Sequence, residues 1–113
     1  MKLLIVGSRS FTDYERMENE IFRQYSVDQI DAVISGGAKG ADSLARLFAI
    51  NHEIQFIEHL PDWNRLGKKA GILRNMTMVD EADEVIAFWD GESRGTAFTI
   101  QYAKEKQKPL YVV

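Results

Sequence analysis

Three glycines within five residues, followed closely by an acid, mark the run Ser35-Gly36-Gly37-Ala38-Lys39-Gly40-Ala41-Asp42. Where such a loop leads from a strand into a helix, it offers an anion unpaired backbone N–H groups and the positive end of the helix. Its glycines let the anion's oxygens come close. Phosphate is the expected occupant, making this the main phosphate cradle; the plainer alternative is a tight turn without a ligand. Two other segments share the character. Gly7-Ser8-Arg9-Ser10 supplies hydroxyls and a guanidinium suited to phosphate or ribose. Asp90-Gly91-Glu92-Ser93-Arg94-Gly95-Thr96 offers amides and the Thr96 hydroxyl at a helix start, as a second anion site or as a polar turn with Thr96 as its N-cap. Two facing anion sites suit a nucleotide diphosphate or a sugar phosphate.

Other reactive side chains read more plainly. Arg74-Asn75, taken alone, is a solvated pair on a helix. Trp63, Lys68 and Lys69 offer either a stacking face with phosphate charge or a Trp covering the sheet edge. His52 and His59 have no metal-ligand spacing and read as surface residues, and Asp80-Glu81-Ala82-Asp83-Glu84 reads as solvated charge. Met76 and Met78 are core filler. No G-x-G-x-x-G or Walker A run is present, and Ser35 ends the second strand where a dinucleotide site needs an acid, which speaks against redox NAD. No cofactor and no metal site is expected.

The elements that must hold these loops alternate. The apolar run from Lys2 to Val6 suits a strand buried on both faces. Thr12-Asp13-Tyr14-Glu15 has capping-box spacing, and Tyr14, Met17, Ile21 and Tyr25 recur at helical intervals. Further strands are expected at Ile30 to Ile34, Ile54 to Ile57, Glu84 to Trp89 and Leu110 to Val113. A second helix is expected to begin around Gly40 to Asp42 and to carry Leu44, Leu47 and Phe48 on one face, and others are expected from about Gly67 to Asp80 and from about Thr96 to Lys106. Right-handed crossovers make this a three-layer α/β sandwich with a five-stranded parallel sheet in the order 3-2-1-4-5. That order opens a crevice at the carboxyl ends of strands one and four, and all three glycine-bearing loops face it.

At 113 residues, with 45 % hydrophobic and 27 % charged side chains, the chain is expected to form one domain over 1–113 with no linker; Pro61 and Pro109 fall at turns. The absence of cysteine excludes disulfides and thiolate zinc sites. With no basic leader and no apolar run of membrane length, a cytoplasmic protein without a membrane partner is expected. A net charge of −3 argues against a general grip on nucleic acid, though not against a local basic pocket. An exposed helix pair is compatible with a homodimer.

Gly7-Ser8-Arg9, Ser35-Gly36-Gly37-Ala38-x-Gly40-Ala41-Asp42, Ala70-Gly71-x-x-Arg74-Asn75-x-x-Met78 and Gly95-Thr96, in that order, resemble the SLOG superfamily across essentially the whole chain. More narrowly they are similar to its small stand-alone YspA-like, YpsA-related group. The resemblance implies a Rossmann-like fold that binds, senses or processes nucleotide-derived ligands. In the LOG branch, phosphoribohydrolases cleave an N-glycosidic bond with an Arg on the third helix and a Glu in P-G-G-x-G-T-x-x-E. Arg74, Met78, Gly95 and Thr96 match, but Asn75 replaces the family Lys and Thr99 stands at the Glu position, with Glu92 as a nearby substitute. The DNA-processing protein A branch, which binds single-stranded DNA, shares the G-S-R turn, the S-G-x-A-x-G-x-D loop and the R-N helix.

The expected function is therefore binding or sensing of a nucleotide-derived phosphate ligand. Ser35, Gly36, Gly37, Lys39, Gly40 and Asp42 would hold phosphate together with Asp90, Gly91, Arg94, Gly95 and Thr96. Gly7, Ser8 and Arg9 would line the pocket, and Arg74 with Asn75 would contact phosphate or ribose. The alternatives are an N-glycosidic hydrolase on nucleoside monophosphates and a single-stranded DNA binder.

Overall fold

The computed structural model describes all residues, 1–113. Five strands, β1 (Lys2–Gly7), β2 (Ala32–Ser35), β3 (Gln55–Glu58), β4 (Glu84–Phe88) and β5 (Leu110–Val112), form one parallel sheet in the order β3-β2-β1-β4-β5, as expected. β1 is central because four of its six residues, Leu3 to Val6, are apolar and buried; only a strand covered on both faces tolerates that run.

Two apolar clusters flank the sheet. Helices α1 (Tyr14–Gln24) and α2 (Ala41–Asn51) pack Met17, Ile21, Ala45 and Phe48 against Leu3, Ile5 and Val33. On the other face α4 (Ala70–Glu81) and α5 (Arg94–Glu105) pack Met78, Val79, Ile100 and Ala103 against Leu4, Val6 and Val85. Truncating a residue as buried as Leu4 to Ala is expected to cost about 2 to 5 kcal/mol.

Local chemistry moves several boundaries. α1 is capped by Asp13, whose carboxylate accepts from the Arg16 amide at 3.0 Å, so the cap lies one residue beyond Thr12. Leu47 is 40 % exposed; the face of α2 that packs inward carries small alanines around Phe48, letting the helix sit close to the sheet. The expected third helix breaks into a short α3 (Trp63–Leu66), capped by Asp62, a 3-10 turn over Gly67–Lys69, and α4. Trp63 opens α3 and is 56 % exposed. α5 begins two residues before Thr96, with Ser93 as its N-cap.

Candidate functional site

The crossover between β1 and β4 opens a cavity of about 460 Å³ at their carboxyl ends, within the usual range for small-molecule sites. Each of the three glycine-bearing loops contributes to its lining, and α4 supplies Arg74, Asn75 and Met78.

Arg74 is held firmly. Its Nη1 donates to the carbonyls of Gly36 at 2.5 Å and His59 at 3.1 Å, and its Nε donates to Asn75 Oδ1 at 2.8 Å. Gly36 makes this placement possible, since a Cβ there would lie 2.6 Å from Nη1. Nη2 keeps its donors free of any partner within the protein. Burial is the largest influence on the guanidinium and lowers its pKa; Asp42 opposes that shift and Arg9 reinforces it. Arg9 projects from the first loop, exposed, and neither arginine forms an ion pair within 4.0 Å.

The loop before α2 is closed on itself. Asp42 is 8 % exposed, and its Oδ2 accepts from the Ala38 amide at 3.0 Å. The Ala41 amide donates to Ser8 O, and Ser35 Oγ to Asp42 O. Gly40 adopts φ +72°, and a Cβ on it would lie 2.4 Å from the Arg9 carbonyl oxygen, so this glycine lets the first two loops touch. Burial is the main cause that raises the Asp42 pKa; the Ala38 amide, Arg74, Ser35 and Arg9 act the other way.

The loop before α5 is open. Asp90 Oδ1 accepts from the amides of Glu92 and Ser93, both at 2.8 Å, which, led by Ser93, lower the Asp90 pKa. The Asp90 amide donates to Ser8 Oγ at 2.9 Å. The amides of Arg94, Gly95 and Thr96, in the first turn of α5, have no acceptor within the protein. A Cβ on Gly95 would meet nothing within 4 Å.

Of the residues expected to bind, Gly7, Arg9, Asp42, Arg74, Asn75, Asp90, Gly95 and Thr96 meet in this cavity. Arg74-Asn75 is thus half-buried in a cleft, unlike a solvated pair. Ser8 and Ser35 are buried and bonded within the protein, Gly36 lies beneath Arg74, and Gly37, Lys39, Gly40, Gly91 and Arg94 do not line the cavity. Ser10, Ala38 and Ser93, which lie within the three expected loops though not singled out as binding residues, also line it, as does Thr99. Thr99 is buried and its Oγ1 donates to Gly95 O at 3.0 Å, while Glu92 is exposed and away from the cavity. Lys68 and Lys69 also lie off the site.

The histidines are only a quarter exposed. His52 Nε2 meets Glu18 at 2.7 Å and His59 Nε2 meets Glu81 at 3.2 Å, so each of these surface residues is engaged by a carboxylate. The acidic run is likewise engaged: Tyr102 donates to Asp80, the Lys2 amide to Asp83, and Tyr25 to Glu84.

A sequence model of the "YspA, cpYpsA-related SLOG family" matches residues 1–66, which include the first two loops. The chain belongs to this family. It is 34 % identical to the Gene 61 protein of Mycobacterium phage D29, over 96 % of this chain and 93 % of that one. Among solved structures it is similar to DNA processing protein A (DprA) from Streptococcus pneumoniae, with a TM-score of 0.78 and 21 % identity. DprA from Helicobacter pylori, described for its single-stranded DNA binding mode, gives a TM-score of 0.74 and 23 % identity. The SLOG chain is covered to 98 % and 99 % in these comparisons but spans only 49 % and 64 % of the two DprA proteins, and the likeness is one of fold. No helix is long and apolar enough to cross a membrane.

Proposed function

We propose that this SLOG protein binds a nucleotide or nucleotide-derived phosphate ligand in the β1/β4 cavity. One observation carries the reading: two guanidiniums without ion-pair partners, Arg9 and Arg74, line the same cavity as the first turn of α5, whose amides have no acceptor. Charge and N–H donors of that kind match a phosphate. The phosphate then lies nearer α5 and the arginines than the α2 loop, whose Ala38 amide already serves Asp42. Thr99 stands where a hydrolytic carboxylate would be needed, so binding is favoured over N-glycosidic hydrolysis.

The test is calorimetric titration with AMP, ADP and ADP-ribose against the wild-type protein and Arg74→Ala. Saturable binding that weakens at least tenfold in the variant is expected; no heat with any of the three would sink the proposal.

A second reading, single-stranded DNA binding, is favoured by the fold shared with the H. pylori protein, and it runs against the inference from net charge. It predicts that oligonucleotides bind more tightly than mononucleotides and that this binding falls steeply with salt. Equal affinity for both at all salt concentrations would remove it.

A further inference from the structure

Asp42 is an unexpected neighbour for two arginines in a site that takes an anion. Its Oδ2 is anchored to the Ala38 amide, and the nearby Ser35 hydroxyl donates to the Asp42 backbone carbonyl, which leaves Oδ1 without a donor of its own. No side-chain oxygen or nitrogen is both sealed from solvent and unpartnered. Asp42 is more than nine-tenths buried and lines the cavity, so the little surface it retains looks into that space. A carboxylate oxygen there repels phosphate and requires a donor from the ligand.

We propose that Asp42 Oδ1 accepts a hydrogen bond from a sugar hydroxyl of the ligand, so that the cavity selects ribonucleotides over their dideoxy counterparts. This rests on the nucleotide reading above. A sugar hydroxyl is preferred to a base amino group because of position. Asp42 lies beside the Arg74 guanidinium, since a Cβ on Gly36 would stand 2.6 Å from Arg74 Nη1 and 3.1 Å from Asp42 Oδ2, and Arg9 lines the same cavity. The donor it meets must therefore lie beside the phosphate, where the sugar is attached; exocyclic amines sit at the far side of the base. A hydroxyl is also both donor and acceptor, so it pairs with either protonation state of a carboxyl group.

The experiment titrates wild-type protein with the four ribonucleoside monophosphates and their 2′-deoxy and 2′,3′-dideoxy forms, then repeats the series with Asp42→Asn. The variant's side-chain amide keeps an oxygen for the Ala38 N–H but turns a donor toward the sugar. Wild type is expected to bind the ribose form of the preferred base at least tenfold more tightly than its dideoxy form, and the variant to narrow that gap to twofold or less. Equal binding of ribose and dideoxy forms by the wild type overturns the inference while leaving nucleotide binding intact. Binding by none of the twelve overturns the inference, and it removes the nucleotide reading as well only when ADP and ADP-ribose also fail to bind. Because the first comparison uses only wild-type protein, it stands even if the variant fails to fold.

Discussion

The loops that precede α2 and α5 look alike as sequence: each is a glycine-bearing turn from a parallel strand into a helix. In space they are opposites. The α2 loop carries its own anion, Asp42, and is so crowded that a Cβ on Gly36, Gly37 or Gly40 would lie 2.7 Å or less from a neighbouring atom. In the α5 loop, Asp90 takes only the amides of Glu92 and Ser93, the next three stay unpaired, and Gly91 and Gly95 face open space. A glycine can therefore make room for the protein itself or for a ligand, and what its absent side chain would touch separates the two.

The sharpest way to break that contrast is Gly40→Ala. With positive φ and a collision with the Arg9 carbonyl, the variant should lose about 3 kcal/mol of stability in urea denaturation. A loss near zero would mean that the loop is not packed as described. Arg74→Ala comes next. Removing a charged donor to the ligand should weaken nucleotide binding by about 1.5 to 3 kcal/mol, read by calorimetry, with the Gly36 and His59 carbonyls left unpaired. Gly95→Ala should act in the opposite sense on stability, adding roughly 0.5 to 1 kcal/mol as a helical Gly-to-Ala change. Its methyl group would stand before the free amides and reduce affinity, so a variant that is more stable and still binds normally would place the ligand elsewhere.

The smallest effect concerns pH, where the two acids differ in sign. Asp90 has a depressed pKa in the fold, so its contribution is present above its unfolded value near 3.9 and is lost as pH falls through the folded value. Asp42 has a raised pKa, so its contribution is full below about 3.9 and is lost as pH rises through the folded value. Without ligand, Asp42→Asn should therefore melt above wild type at pH 7, with the gap closing toward pH 3; a variant that melts lower at pH 7 reverses the assignment.

The sheet was legible because β1 and β4 are apolar runs bounded by turns, and strand order follows from the alternation of helices and strands. The α3 turn was not. Four residues capped by Asp62 and ended by Gly67 at φ +58° are too few to display a helical period. The site was half legible. Arg9, Asp42, Asp90 and Gly95 stood out within their loops and Arg74 through the family resemblance, but the carbonyls 38 and 15 residues away that fix Arg74 did not. Contacts of that range leave no local trace, and His52 and His59, with glutamates 34 and 22 residues distant, escaped for the same reason.

The bond from the Asp90 amide to Ser8 Oγ joins positions 82 residues apart. Arg9 and Asp42 belong to the first half of the chain, Arg74 and the α5 turn to the second, and this bond lies at the seam. A molecule gripped from both sides ties the halves together, so the Asp90 amide should exchange its hydrogen with solvent more slowly once the cavity is filled.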